Sequence, residues 1–204
     1  MATYTPQGID FADRAPVVAQ SVGVIAGTRE EVWAALCDHE RWTDWMPNLK
    51  SCRATSTPAS GVGSTRVVTL AGGLAFTEEF IAWDEPERWA FTGVSGPPMF
   101  EKLVERVTLV ELGPELTEIT YRMAIGPRRG FATLVKLARP RIEKSLKVAL
   151  RNLNQSVAAR RPAADDVADD AHGSLSSSKP DDEGHDHPHD HDHPHEHDHP
   201  HDHD

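Results

Sequence analysis

VIAGTREEVWAALCDHERWTDWMP, residues Val24–Pro47, is the stretch that decides the fold, because a strand pattern gives way in it to two helix patterns. Thr28 is followed three residues later by Glu31, which is the spacing of a capping box at the start of a helix. Asp38–Met46 predicts a second, shorter helix that ends before Pro47. Apolar side chains at helical spacing support the first helix, at Val32, Trp33, Leu36 and Cys37.

Strand patterns lie on both sides of this stretch. Val17–Ala26 is rich in β-branched residues and predicts a strand. Six more strand-like runs follow, separated by turn signals such as Gly72-Gly73 and Gly113-Pro114. Because consecutive runs are joined by short links, we expect a curved antiparallel sheet of seven strands. The six later runs are Leu49–Thr55, Ser64–Ala71, Leu74–Asp84, Arg88–Val94, Lys102–Leu112 and Thr117–Ile125.

A long amphipathic helix is predicted between Gly130 and Val157, where apolar residues recur with a period of 3.6. Pro140 lies inside this stretch and should kink the helix or divide it in two. The element order predicts an α+β fold. A curved sheet cannot bury its concave face alone, so we expect the long helix to cover it.

From about Val17 to Val157 the chain resembles the START-like helix-grip superfamily, specifically the SRPBCC group of polyketide cyclase/dehydrase and lipid-transport proteins. Three segments carry the resemblance: the opening stretch, FIAWDEPERWAF (80–91) and LTEITYRM (116–123). The resemblance implies an apolar cavity between sheet and long helix that binds a hydrophobic small molecule or lipid. It leaves open, as an alternative, a polyketide cyclase/dehydratase-type enzyme in the same cavity.

Candidate site residues follow from the alternation of side chains along the strands. Placing Ile81 and Met123 inward also brings Glu79 and Tyr121 to the cavity, as a general base and a hydrogen-bond donor. A solvated Glu79 and a core Tyr121 are the competing interpretation, and a register slip of one residue would exchange the faces. We expect His39 to be exposed near a helix C-terminus. The predicted cavity residues are Trp33, Trp42, Trp45, Ile81, Trp83, Tyr121, Met123, Leu134 and Ala138.

The acidity of the chain is concentrated at its end. The formal net charge of residues 165–204 is −13, and that of the whole chain is −11. Residues 1–164 therefore have a net charge of +2. We therefore divide the chain into a loose N-terminal leader (1–15), the START-like domain (16–158), a disordered acidic linker (159–184) and a disordered tail (185–204).

The remaining composition favours a cytoplasmic protein. Two cysteines suit a reducing compartment, and neither a signal peptide nor a membrane-spanning segment is visible. We expect no nucleic-acid partner and no cofactor for the domain itself.

The tail HDHPHDHDHPHEHDHPHDHD has the composition of a metal-binding segment. Imidazole and carboxylate groups are ligands for nickel, zinc and copper, and prolines keep the chain extended. The tail resembles the His/Asp-rich segments of metal transporters and metallochaperones, and this resemblance implies metal buffering or delivery. An accessory protein for metal handling is a further alternative function. A purification tag and a merely solubilising acidic tail are the competing interpretations. The predicted ligands are His185, His187, His189, His191, His193, His195, His197, His199, His201 and His203.

Overall fold

The computed structural model describes residues 1–161. The predicted tail, and the predicted linker beyond residue 161, lie outside the described residues. Eight strands and four helical segments form the described part. The strands are β1 (Ala2–Thr3), β2 (Val17–Ala26), β3 (Leu49–Ala54), β4 (Thr65–Leu70), β5 (Ala75–Asp84), β6 (Arg88–Gly96), β7 (Phe100–Gly113) and β8 (Leu116–Pro127). The helices are α1 (Phe11–Arg14), α2 (Arg29–Cys37), a 3-10 helix (His39–Asp44) and α3 (Ala132–Ala159).

Seven strands form the curved antiparallel sheet in the order β2-β8-β7-β6-β5-β4-β3. Strands that follow one another in the chain are neighbours from β3 to β8, as the short links predicted. The exception is β2, which pairs with β8 along its whole length, from Val17 opposite Ile125 to Ala26 opposite Leu116. The predicted α+β helix-grip architecture is therefore confirmed.

The capping box at the start of α2 is confirmed as well. The Thr28 hydroxyl accepts a hydrogen bond from the Glu31 backbone N–H, and the Glu31 carboxylate accepts one from the Thr28 N–H. This reciprocal pair satisfies two backbone donors that the first turn of a helix would otherwise leave without partners. The second predicted helix is a 3-10 helix of six residues.

The long helix α3 covers the concave face with one buried stripe and is not divided at Pro140. Its interior proline has no N–H for the Lys136 carbonyl, and it lies at a turn whose side chains are mostly exposed. None of the helices in residues 1–161 is both long and apolar enough to cross a lipid bilayer. The buried stripe comprises Val135, Leu146, Ala149, Leu150, Leu153 and Val157.

The prediction of a loose leader at residues 1–15 is wrong. β1 pairs with β6, and the side chains of Tyr4 and Phe11 are buried. The Tyr4 hydroxyl donates a hydrogen bond of 2.9 Å to the Pro97 carbonyl. Gly93 makes room for the ring, since a Cβ there would lie 2.8 Å from Tyr4 Cδ2. The N-terminal segment is thus part of the domain.

Candidate functional site

A cavity of about 260 Å³ lies between the sheet and the long helix. Its wall is mostly apolar, with a small group of polar side chains from β4, β5, β7 and β8. Such a combination is typical of sites that bind small molecules. The lining residues are Trp42, Met46, Pro47, Asn48, Leu49, Arg66, Val68, Leu70, Phe76, Glu78, Phe91, Phe100, Leu103, Glu105, Tyr121, Met123, Ile142, Ser145 and Leu146.

Arg66 and Glu78 form a buried ion pair in the cavity wall. They are register partners on the antiparallel strands β4 and β5, so both side chains leave the sheet on the same face. Arg66 Nε donates to Glu78 Oε2 at 2.7 Å, and the two side chains are only 0% and 5% exposed. Burial raises the pKa of Glu78, and the Arg66 guanidinium opposes that rise.

Aromatic rings surround the rest of the Arg66 guanidinium. Its Cζ lies 4.0 Å from the ring centroid of Trp42, 4.5 Å from that of Phe91 and 5.1 Å from that of Phe80. These distances favour a cation–π attraction between guanidinium and rings. Arg66 Nη1 and Nη2 have no hydrogen-bond partner within residues 1–161. Arg66, a residue of the cavity wall, therefore keeps two buried cationic donors without a hydrogen-bond partner in the described part of the chain.

Glu105 and Tyr121 form a second polar pair in the wall, on the neighbouring strands β7 and β8. The Tyr121 hydroxyl donates to Glu105 Oε2 at 2.5 Å. Burial, followed by the charge of Glu78, raises the pKa of Glu105 to about 8, although the Tyr121 hydrogen bond and Arg66 act in the opposite direction. At neutral pH the Glu105 carboxyl is therefore largely protonated. It can donate a hydrogen bond as well as accept one.

The structure divides the nine predicted cavity residues into three groups. Trp42, Tyr121 and Met123 line the cavity. Trp33, Trp45 and Trp83 belong to the adjoining hydrophobic core, where the rings of Trp33 and Trp83 meet edge to face at 5.4 Å, and they do not line it. The other three are Ile81, Leu134 and Ala138.

The predicted faces of β5 are wrong for Glu79 and Ile81. Glu78 and Phe80 are the buried residues that face the cavity side, so the intervening Glu79 faces the other way. A bulge then places an extra residue at Ile81, which packs on the outer face beside the cluster that contains Phe11. Beyond the bulge, the odd-numbered residues of β5 take the inner face that the even-numbered residues hold before it. This change places Trp83 on the inner face.

Leu134 and Ala138 were predicted to line the cavity, and this prediction is also wrong. In the first turns of α3 the side chain that faces the sheet is Val135, whereas Leu134 is 55% exposed. The helix residues that line the cavity come later, at Ile142, Ser145 and Leu146. At about 100° per residue Leu134 and Ala138 lie on nearly the same helix face as Ser145 and Ile142, but they come at least one turn earlier in α3 than the cavity.

His39 was expected to be exposed, but its side chain is buried. Its ring stacks on that of Phe80, with centroids 5.7 Å apart and planes 10° apart. Burial, with a smaller contribution from the Arg66 charge, lowers the pKa of His39 to about 4. The imidazole is therefore neutral at physiological pH.

Sequence reasoning missed Arg66, Glu78 and Glu105. The hairpin turn contained a signal for the first two. A tight turn centred on Gly72 places residues opposite each other when they are equally far from it, and Arg66 and Glu78 are both six residues away. No comparable local signal identifies Glu105, whose environment depends on β7 lying in the middle of the sheet.

Solved structures confirm the fold. An aromatase/cyclase from Streptomyces superposes with a TM-score of 0.61 at 15% identity, covering 73% of this chain and 98% of that chain. A START superfamily protein from Mycobacterium smegmatis superposes with a TM-score of 0.58 at 17% identity. The superposition covers 70% of this chain and 97% of that chain. At these identities the likeness concerns the fold alone.

Sequence comparison extends the relationship to the family level. Uncharacterised proteins of Mycobacterium bovis and Mycobacterium tuberculosis are each 30% identical over 160 residues, covering 77% of this chain and 94% of the relative. The model of the family described as polyketide cyclase/dehydrase and lipid transport matches residues 16–158. This chain is therefore a member of the polyketide cyclase/dehydrase and lipid transport family.

Proposed function

We propose that this protein binds a hydrophobic small molecule or lipid in the cavity, with an oxygen atom of the ligand against Arg66. The observation that carries the proposal is the pair of unpartnered nitrogens, Nη1 and Nη2, in a mostly apolar wall. A buried donor without a partner costs about 1–3 kcal/mol, and a ligand acceptor would remove that cost.

The charges of the wall favour an uncharged ligand oxygen. Arg66 is already paired with Glu78, and Glu105 is largely protonated at neutral pH. A carboxylate would therefore add a buried negative charge that no second cation balances, which is unfavourable in a poorly hydrated cavity. A carbonyl oxygen can accept from Arg66 and from the Glu105 carboxyl without that cost.

Calorimetric titration of the full chain with three matched probes tests this proposal. We expect acetylnaphthalene to bind roughly tenfold more tightly than ethylnaphthalene, which fills the same space without an acceptor. Naphthoate should bind more weakly than acetylnaphthalene. If none of the three shows saturable binding, the cavity is not a site for ligands of this class.

Two substitutions on α3 locate the binding. Ser145→Trp places an indole in the cavity and should abolish probe binding. Lys147→Trp introduces the same side chain at an exposed position of the same helix and should leave binding unchanged. Equal losses in both variants would place the binding elsewhere.

A cyclase/dehydratase-type enzyme in the same cavity is the second candidate, and the Glu105–Tyr121 pair favours it. A protonated carboxyl beside a bound carbonyl can act as a general acid. Glu105→Gln and Tyr121→Phe should then each reduce turnover of a carbonyl substrate by about a hundredfold or more without unfolding the domain. Glu79→Gln, on the opposite face of β5, is the matched control and should keep full activity.

Metal binding by residues 185–204 remains a proposal that rests on the ten alternating histidines. Within residues 1–161 no group of three or more His, Cys, Asp or Glu side chains could hold a metal ion. Titration with nickel, zinc and copper should give about two to four ions for the full chain at three or four ligands per ion. Binding should weaken below about pH 6.5, because protonated imidazole cannot ligate.

A chain lacking residues 185–204 should lose these ions. An unchanged stoichiometry after the deletion would remove the tail as the metal site. Metal buffering or delivery by an accessory protein would follow from tight binding together with transfer of the ion to a second protein.

A further inference from the structure

The first half of α3 carries a stripe that faces away from the protein core. Leu134 and Leu137 are 55% and 73% exposed, and Arg141 and Lys144 are exposed as well. The four residues are spaced by three, four and three positions, so they lie on one face of the helix. We call these four residues the Leu–Arg stripe.

The Leu–Arg stripe is separate from the buried stripe of the same helix. Val135 and Leu146 face the core, and they are offset by roughly 100° from Leu134 at 100° per residue. Two exposed leucines in adjacent turns are not required for packing within the described chain. They form an apolar surface next to positive charge.

The surroundings of the stripe are strongly basic. Residues 128–147 contain seven Lys or Arg and one acidic residue, Glu143. Glu143 is paired with Arg139 at 2.8 Å. Among the described residues, Arg129, Arg141 and Lys144 form no salt bridge.

This combination distinguishes between possible partners. A second copy of the chain would bring two basic stripes together, and like charges repel. A purely polar polyanion would leave Leu134 and Leu137 without apolar contacts. An anionic lipid surface suits both the leucines and the basic residues of the stripe. The leucines can enter the boundary with the acyl chains, and the basic side chains can contact phosphates.

The Leu–Arg stripe also adjoins the cavity along the helix. Ile142 and Ser145 line the cavity, and each is one residue beyond a basic member of the stripe. The same two turns of α3 therefore form part of the cavity wall and part of the basic surface. A membrane bound at the stripe would lie close to the cavity.

We propose that the Leu–Arg stripe docks this protein on an anionic lipid bilayer, with Leu134 and Leu137 inserted and Arg141 and Lys144 against the headgroups. The docking does not depend on which ligand the cavity binds. The net charge of −11 opposes binding, but at physiological salt the interaction is local, because the Debye length is about 8 Å.

Co-sedimentation of the full chain with phospholipid vesicles tests the proposal. We expect binding to vesicles of phosphatidylglycerol and phosphatidylcholine in equal parts, and at least about tenfold weaker binding to phosphatidylcholine alone. Arg141→Gln/Lys144→Gln should weaken binding about thirtyfold. Leu134→Ser/Leu137→Ser should weaken it about tenfold or more, through lost apolar burial.

The matched control is Val22→Ser/Val24→Ser, which removes two side chains that are 51% and 50% exposed on β2. It should leave vesicle binding unchanged. Equal binding to both kinds of vesicle, or an unchanged affinity in the leucine variant, would overturn the proposal. Self-association that Leu134→Ser/Leu137→Ser abolishes, without vesicle binding by the parent chain, would assign the stripe to a second copy instead.

Discussion

Arg66 and Glu78 lie directly opposite each other on β4 and β5, and their side chains meet at 2.7 Å with almost no exposure to solvent. Neither charge has the solvent to stabilise it, so each depends on the other. The same pairing uses only Nε of the guanidinium and leaves Nη1 and Nη2 without a hydrogen-bond partner among the described residues. The arginine that the ion pair stabilises is therefore also the residue to which the proposed function assigns the ligand oxygen.

Removing one partner of this pair should destabilise the domain strongly. Glu78→Leu leaves the buried Arg66 charge unpaired, and we expect the free energy of unfolding to fall by about 3–5 kcal/mol. Urea denaturation followed by circular dichroism measures the change. Glu79→Leu, at the next position of β5, should change it by about 1 kcal/mol or less.

Removing both partners should be far less harmful. The double variant Arg66→Met/Glu78→Leu keeps the volume and eliminates both buried charges, so its stability should lie within about 1–2 kcal/mol of the parent. Its affinity for acetylnaphthalene should nevertheless fall to that for ethylnaphthalene. A double variant as unstable as Glu78→Leu would contradict the ion-pair interpretation.

The stability of the domain should decrease as the pH rises from about 6.5 to 8.5. Glu105 holds its proton more tightly in the folded state, with a pKa near 8 against an ordinary value of 4.5. Its stabilising contribution is complete below the ordinary value and is lost as the pH rises through 8. Thermal unfolding across this range measures the loss, which Glu105→Gln should reduce. Glu30→Gln, at an exposed position of α2, should leave the loss unchanged.

His39 should produce a loss of stability on the acidic side. Its pKa in the folded state is about 4, below its ordinary value of 6.5, so the unfolded chain binds the proton more tightly. The contribution of His39 is complete above 6.5 and is lost as the pH falls towards 4, by on the order of 3 kcal/mol. Comparison of His39→Phe with the parent at pH 7 and pH 5 isolates this contribution, since phenylalanine can keep the stack on Phe80.

Tyr4 should contribute as much to stability as a residue of the central sheet. Tyr4→Ala removes a buried ring that packs against Phe100 and Gly93, and we expect a loss of about 3–5 kcal/mol. Tyr4→Phe removes only the hydrogen bond to the Pro97 carbonyl and should cost about 1 kcal/mol. Chemical denaturation of the two variants separates the two contributions. If both variants lose less than about 1 kcal/mol of unfolding free energy, the N-terminal segment is a loose leader after all.

The order and type of the elements could be predicted because regular periodicity runs through long segments. The strand Val17–Ala26 has the predicted bounds, and the Thr28–Glu31 capping box marks the true start of α2. These signals are local, so they do not depend on what the segment packs against. The short β1 and α1 contain too few residues to show any period, and the N-terminal segment was therefore misjudged.

The site was harder to predict than the fold, because a shift of one residue along a strand or helix changes which side chains face the cavity. One bulge at Ile81 separates Phe80 from Trp83, and no single alternation places both on the inner face. On α3, the difference between Leu134 and Val135 is likewise one position. The burial of His39 arises from contact with Phe80, a residue forty-one positions away. Such tertiary contacts have no counterpart in a local pattern.

The tryptophans around the cavity have a spectroscopic consequence. The rings of Trp42 and Trp45 are 4.6 Å apart, and those of Trp42 and Trp89 are 6.0 Å apart, at inclined angles. Indoles this close couple their ultraviolet transitions, and the resulting signal in the circular dichroism spectrum depends on their mutual orientation. Because Trp42 also lines the cavity, small rotations of its ring would alter that exciton signal. A ligand that rotates the Trp42 ring would therefore be detectable in the circular dichroism spectrum without any added label.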